Sequence, residues 1–245
     1  MFKGFSRSAT EFMAELRIHN EKEWFEPRKE VYMSELYRPM KELCAVVSGP
    51  FMKISGMMAK AGRIYSDPNF PPYRKYRDNM WIVVKHETYD WSKTPSLFFE
   101  FSAEGAVFGM KLTYPSAAVM ENFRQKIISD EGVFFRQAKS IERAGIKISG
   151  DEYKRLKPCP VPEAERFFRL KNISMTVSIP ADDDRLYSPE LADHIIKVFK
   201  KLLPVNELFE ELAAQAAAEK LALKTAALVQ QEISMPEAPK EDFMW

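Results

Sequence analysis

Cysteine and glycine are scarce in this chain. Its 245 residues include two cysteines and nine glycines. Cys44 and Cys159 lie far apart and form no CxxC motif, a pattern typical of a reduced cytoplasmic protein rather than of a disulfide-linked secreted domain. Apolar residues make up 46% of the sequence. This content excludes an intrinsically disordered chain and indicates a packed globular protein.

Long hydrophobic runs are also lacking. Uninterrupted apolar stretches such as Trp81–Val84 are far shorter than the roughly 20 residues that a transmembrane helix needs. The first residues contain no apolar signal-peptide core. We therefore expect a cytoplasmic protein without membrane contacts.

Neither sign of charge is in excess. Lys and Arg number 36 against 35 Asp and Glu, which gives a net charge of +1. So small a charge provides no whole-molecule attraction to nucleic acid or to an anionic membrane, so any basic surface must be local.

The common catalytic motifs are missing as well. The sequence contains no GxSxG, GxxxxGK[ST] or GxGxxG, which argues against the usual hydrolase, P-loop and dinucleotide-binding classes. None of its three histidines has a partner at metal-ligand spacing. We expect neither a metal nor a cofactor.

The hydrophobic pattern predicts an α+β fold. Helical periodicity dominates up to Gly49, alternating β-type patterns follow in "WIVV", "SLFFEFS" and "AVFGMKLTY", and helices return at Ser116. The turn "AEG" joins two of these strands into a hairpin, with Phe99 on the opposite face from Phe98 and Glu100. The prediction is a mostly antiparallel sheet packed with helices.

The first helices carry recognisable boundary signals. Ser8 has a Glu three residues later, as in a capping box. Asn20, which has the same spacing to Glu23, either ends the first helix or caps the next. Pro27 and Pro39 each remove a backbone donor, so we expect a break or a kink at both.

The chain contains neither an internal repeat nor a Gly/Ser linker, and a single domain is the simplest organisation. We expect an α+β domain over residues 1–212, followed over 213–245 by a helical extension and a flexible acidic tail. The alanine-rich Val205–Ile233 and the apolar end "DFMW" suggest self-association or docking on a partner.

The segment "RIYSDPNFPPYRKYRDN", Arg63–Asn79, is unusually basic and aromatic. It holds four cations, three tyrosines and three prolines in seventeen positions. Guanidinium groups on a stiff connection can present forked donors to a phosphate or carboxylate. The alternative is that these charges pair with adjacent acids and anchor a long loop against the sheet.

The stretch "EFMAELRIHNEKEWFEPRKEVYMSELYRPMKEL" resembles the opening signature of the microbial domain of unknown function 2461 (DUF2461). The matching residues are Asn20, Glu23, Trp24, Phe25, Arg28, Tyr32, Pro39 and Met40. The resemblance continues through "RIYSDPNF", the hairpin, "GDEYKRLKPCP" and "FFRLKNISMTVSIP", from about Phe5 to Leu212. It implies no known reaction.

The chain departs from the family pattern inside the basic segment. Asn69 stands where the family has an arginine, and Tyr73 replaces an acid. If that acid does chemistry in relatives, this member has lost it; if the segment holds an anion, the function survives. The resemblance favours a functional role for the cluster.

We therefore expect a protein that binds, or acts on, a phosphorylated or carboxylated small molecule; the sequence assigns no reaction. The predicted ligand-binding residues are Arg63, Arg74, Tyr76, Arg77 and Arg155. Asp67 is a weak candidate for an acid/base role or for orienting the arginines. The alternative is a nucleic-acid or protein interaction module without catalysis, in which the tyrosines stack on bases.

Overall fold

The computed structural model describes residues 1–66, 69, 71, 73–88, 91–130, 132–155 and 158–233, with the backbone alone at 229 and 231–233. Its helices are α1 Arg7–Ile18, α2 Lys22–Phe25, α3 Lys29–Val31, α4 Arg38–Ser48, α5 Ala117–Ser129, α6 Val133–Arg143, α7 Glu165–Phe168 and α8 Glu190–Ile233. Its strands are β1 Met57–Ala61, β2 Asn79–His86, β3 Ser96–Ser102, β4 Gly105–Leu112, β5 Lys147–Ser149 and β6 Ile173–Pro180.

The six strands form one antiparallel sheet with the order β1-β2-β3-β4-β6-β5. The predicted hairpin is β3–β4, and Phe99 pairs with Phe108 across it. The α+β prediction, with an antiparallel sheet packed with helices, is confirmed. Strand β1 was not predicted, because "MMAKA" lacks the β-branched and aromatic residues that mark a strand.

The sheet has one buried face. Phe99, Phe101 and Phe108 are fully buried there, in a core that also contains residues of α1, α4 and α8. These helices contact the central strands and β1. The opposite face, which we call the outer face, carries the half-exposed Trp81 and Glu100. The expected alternation of Phe99 and Glu100 is thus confirmed.

The helix starts differ from those predicted. Ser6, not Ser8, caps α1, since its hydroxyl accepts a hydrogen bond from the Ala9 amide at 3.2 Å. Glu21, not Asn20, precedes α2. Asn20 follows the end of α1 at Ile18, in line with the other alternative. The Ser8 cap was predicted wrongly because Ser6 and Ser8 can both cap a helix, and spacing alone does not select between neighbouring residues.

Both prolines of the next segment interrupt α-helical geometry, as predicted. Pro27 lies in a 3-10 turn, Glu26–Arg28, between α2 and α3. Pro39 follows a π-helical turn, Tyr32–Tyr37, at the start of α4. A proline donates no backbone hydrogen bond, so the i→i+4 pattern cannot pass through it unchanged.

Helix α8 has 44 residues, which corresponds to about 66 Å at 1.5 Å per residue. Its first half packs into the core through residues such as Phe199 and Phe209. Residues 217–228 are all exposed. The helix passes through the expected boundary at 212/213 without interruption, so the extension continues an element of the domain.

None of the described helices combines the length and the apolar character required to cross a lipid bilayer.

Candidate functional site

The basic segment forms the far end of the β1–β2 hairpin. The Arg77 amide donates to the Ile64 carbonyl at 2.7 Å, and the Ser66 amide donates to the Lys75 carbonyl at 3.0 Å. Tyr65 and Tyr76 form an antiparallel bridge between the same two arms. The described part of Arg63–Asn79 is therefore two paired arms that extend the sheet rather than an irregular loop.

The arginines of this hairpin have different environments. Arg63 and Arg77 are exposed on adjacent arms, and neither forms an ion pair with a described carboxylate. Arg74 is half-buried, with a guanidinium nitrogen 3.9 Å from an Asp78 carboxylate oxygen. The alternative prediction, in which the charges pair with adjacent acids, is thus realised at Arg74. Asp67 lies outside the described residues.

Arg155 lies at the other edge of the sheet. It follows β5, close to the bridge between Glu152 and Leu170. Four strand spacings of about 4.8 Å, or roughly 19 Å, separate β5 from β2. The structure does not bring Arg155 together with the arginines of the hairpin.

A groove of about 320 Å³ opens on the outer face of the sheet. Three cationic side chains and three aromatic rings line it: Arg77, Lys85, Lys111, Trp81, Trp91 and Tyr114. Thr94, Ser96 and Thr113 add hydroxyl groups to the lining. The groove thus combines apolar walls with a few polar groups, as small-molecule sites commonly do.

Lys85 forms the most buried part of this groove. The residue is 1% exposed, and its ammonium nitrogen donates to the Trp91 carbonyl and to the Thr94 hydroxyl, both at 2.7 Å. The same nitrogen lies 5.4 Å from the centre of the Trp91 ring. Burial lowers the pKa of Lys85 to about 8, against a smaller opposing effect of the Glu210 carboxylate.

Lys111 lies across the sheet from Lys85. Its ammonium group passes over the Phe98 ring, 4.2 Å from the ring centre, and pairs with Glu100. Ser96 pairs directly with Lys111, and the β2–β3 register places Lys85 beside Ser96 on its other side. Lys85 and Lys111 therefore share one row of the sheet, two strands apart.

A second cavity, of about 640 Å³, separates the end of β2 from α8. His86 Nδ1 lies 2.8 Å from a Glu210 carboxylate oxygen, and the Asn206 amide donates to the other oxygen at 3.0 Å. Alanines of α8 form much of the remaining wall. The central polar groups of this cavity contact one another. We therefore interpret the cavity as part of the packing of α8 against the sheet.

No group of three or more His, Cys, Asp or Glu side chains among the described residues is arranged to hold a metal ion.

Residues 8–208 match the family model described as conserved hypothetical protein, DUF2461. The chain belongs to the DUF2461 family. A search of curated proteins finds none that matches. The exposed half of α8 lies beyond the matched residues.

One DUF2461 signature residue holds the basic hairpin directly. The Asn20 side-chain oxygen accepts from the Tyr76 amide at 3.0 Å, and its nitrogen donates to the Tyr76 carbonyl at 2.9 Å. A second donor contact reaches the Leu16 carbonyl at 3.4 Å. The side chain pairs with the hairpin backbone as a neighbouring strand would.

The aromatic residues of the DUF2461 signature pack beneath the same hairpin. The Phe25 ring stacks on Tyr76 with a centroid distance of 4.2 Å, and Tyr32 lies 5.5 Å from Phe25. The Tyr32 hydroxyl accepts from the Ile64 amide at 3.4 Å. Burial raises the pKa of Tyr32 to about 12. Tyr76 is only 4% exposed, so its ring contributes to packing, and its contact with a ligand remains an untested prediction.

Sequence reasoning missed Lys85, Lys111 and the three aromatic residues of the groove. The sequence did contain one signal for Lys85, its position directly after the apolar run "WIVV". A lysine in a buried strand is rare, so such a position indicates a special role. No short sequence motif could show that Lys85 and Lys111 lie in one groove, since this depends on the register of three strands.

Proposed function

We propose that the protein binds a small anionic molecule in the groove of the outer face, as a carboxylate or phosphate attached to a planar apolar group. The observation that carries the proposal is the convergence of Arg77, Lys85 and Lys111 with aromatic rings in one concavity. Among the described lining residues the basic side chains number three and the acids one, Glu100, which pairs with Lys111. The local charge therefore favours an anion.

The lining residues support distinct roles. Arg77 offers forked donors at the end of the groove nearest the hairpin, and Lys111 offers a point charge near its centre. Trp81 and Trp91 offer flat apolar surfaces for a ring. In this proposal Arg63 and Arg74 strengthen the positive field at the hairpin without lining the groove.

Isothermal titration calorimetry with phenyl phosphate and phenylacetate tests the proposal, with 2-phenylethanol as the uncharged control. We expect binding of the anions and not of the alcohol. Arg77→Gln and Lys111→Gln should each weaken binding about tenfold, the loss expected for one charge-assisted hydrogen bond. Lys147→Gln removes an exposed lysine on the far edge of the sheet and should leave affinity unchanged.

Absence of binding by both anions, or equal affinities in all three variants, would contradict the proposal. Salt-sensitive binding of single-stranded nucleic acid in place of the small anions would favour the alternative of an interaction module.

The exposed half of α8 supports a second proposal, self-association through this helix. Leu221 and Leu228 are 66% and 62% exposed. Together with Ala218 and Thr225 they follow one another at alternating spacings of three and four residues. That spacing forms a continuous stripe on a helix, as in a coiled-coil seam.

Light scattering on paired variants tests self-association. Leu221→Glu with Leu228→Glu places charges within the stripe and should convert an oligomer to a monomer. Leu223 is 73% exposed but lies on the other side of the helix, so Leu223→Glu is the matched control and should not change the mass. A wild-type monomer at high concentration, or equal effects of both changes, would refute this proposal.

We also propose a cytoplasmic location, which the two unpaired cysteines support.

A further inference from the structure

Lys85 has an unusual place in the groove, because it is a buried lysine among neutral partners. We propose that its amine forms an imine with a carbonyl group of the bound anion, so that the ligand class is a 2-oxo acid with a planar apolar substituent. This inference rests on the proposed function, since the groove must first hold the anion.

The immediate partners of Lys85 leave its amine uncompensated. The Trp91 carbonyl and the Thr94 hydroxyl, each 2.7 Å away, are both neutral acceptors. No described carboxylate lies within ion-pair distance of Lys85. An ammonium group carries three hydrogens, and these two acceptors engage two of them. The third direction has no described acceptor.

Burial without a direct ion pair favours the neutral amine, which is the nucleophilic form, against a smaller opposing effect of the Glu210 carboxylate. The lowered pKa of Lys85, about 8, agrees with this environment. Lys60, by contrast, is exposed. The structure therefore distinguishes Lys85 from the surface lysines by burial and contacts.

The register of the sheet suggests the arrangement of the ligand. Lys85 and Lys111 lie on one row with Ser96 between them, which places their Cα atoms about 10 Å apart. Both side chains line the same groove. A 2-oxo acid carries its carboxylate next to its carbonyl. The proposal therefore requires the carboxylate to be held by Lys111 or Arg77, which line the same groove, while the carbonyl meets the Lys85 amine.

The proposed step is balanced without a further reactant. The amine lone pair attacks the carbonyl carbon, a C–N bond forms, and the carbonyl oxygen takes a proton as the nitrogen loses one. The resulting carbinolamine loses its hydroxyl group and a proton as water, and a C=N bond replaces the C–O bond. The Thr94 hydroxyl, in contact with the amine, and the Tyr114 hydroxyl line the groove and can carry these protons.

A purely structural role for Lys85, in which it only ties residues 91 and 94 to the sheet, is the competing explanation. Reductive trapping distinguishes the two. The full-length protein is incubated with phenylpyruvate and sodium cyanoborohydride, and the modified lysine is located by peptide mass spectrometry. We expect Lys85 to be labelled about tenfold or more faster than Lys60, because burial favours its neutral amine and its side chain lines the groove that holds the ligand.

Lys60 is a matched control, because its ammonium lies 5.5 Å from the centre of the same Trp91 ring. Lys85→Arg should abolish the fast labelling, whereas Lys60→Arg should retain it. Since mapping is done on the wild-type protein, the result does not depend on whether Lys85→Arg folds. Labelling spread evenly over exposed lysines, or none at Lys85, would overturn the inference.

Phenyllactate, which has a hydroxyl in place of the carbonyl, separates the two proposals. It should bind and compete with phenylpyruvate but leave no adduct. If phenyllactate binds and phenylpyruvate is not trapped at Lys85, the imine is refuted and anion binding stands. If neither compound binds but phenyl phosphate does, the imine is refuted and anion binding stands; if phenyl phosphate and phenylacetate also fail to bind, both proposals fail.

Discussion

The side-chain amide of Asn20 forms two hydrogen bonds to the backbone of Tyr76, at 3.0 and 2.9 Å. Asn20 lies between the first two helices, and through this contact it fixes the arm of the β1–β2 hairpin that leads into β2. The same arm continues into β2, which carries Trp81 and Lys85 into the groove. Asn20 thus serves to position the strand on which the candidate site is built.

Replacing Asn20 should destabilise the protein. Asn20→Ala leaves the Tyr76 amide and carbonyl without these partners and should lower the free energy of unfolding by about 1–3 kcal/mol. Asn20→Asp keeps the acceptor, loses the donor and should have a smaller effect. Chemical denaturation measures both, with the exposed Gln230→Ala as the control. Equal stability of Asn20→Ala and wild type would show that the hydrogen bonds between Asn20 and Tyr76 do not stabilise the fold.

Several elements were predictable from sequence because local chemistry determines them. The β3–β4 hairpin follows from its alternating residues and short turn, and the interruptions at Pro27 and Pro39 follow from the missing donors. Strand β1 was not predictable in this way, since it owes its pairing to β2 rather than to its own residues.

The candidate site was less predictable than the fold. Arg77 was identified from the composition of its segment, and the structure puts it at the groove. Lys85 and Lys111 are close only because β3 lies between their strands. The sequence suggested a role for Asn20 at a helix end, whereas its side-chain amide pairs with the hairpin backbone. The same amide can do either, and only the tertiary structure decides between the two.

Arg124 should be required for stability. Its guanidinium is fully buried and donates to the carbonyls of Phe168 and Leu170 at 3.2 and 2.9 Å. Arg124→Met removes both donors and should cost about 2–4 kcal/mol of unfolding free energy. The exposed Arg143→Met is the control and should change stability little. Similar denaturation midpoints for the two variants would be inconsistent with this role.

The buried Lys85 should make stability depend on pH. Its pKa is about 8 in the folded protein against an ordinary value of 10.5. Between these values the unfolded chain binds more protons, so stability rises with pH. The charged groups near it are Glu210 on α8, Lys60 on β1 and Lys111 on β4.

As the pH rises from 7.5 to 10, the free energy of unfolding of the wild type should therefore increase by about 2–3 kcal/mol relative to that of Lys85→Met. Denaturation of both proteins across this range measures the difference. A difference that stays constant with pH would show that Lys85 is protonated normally in the folded state.

Gly62 should be required for the position of Trp81. A methyl group at Gly62 would lie 2.2 Å from the Trp81 indole, so the ring would have to move. Gly62→Ala should weaken binding of phenyl phosphate several-fold by displacing one wall of the groove. Gly49→Ala, where the added methyl meets only ordinary contacts at 3.5 Å, is the control. Unchanged affinity in Gly62→Ala would remove Trp81 from the proposed site.

A crystal structure of the protein with phenyl phosphate tests the central claim most directly. The account predicts ligand density in the groove of the outer face, with the phosphate at Arg77 or Lys111 and the ring against Trp81 or Trp91. Density only in the cavity beside His86 and Glu210, or at the exposed end of the hairpin with the groove empty, would contradict it.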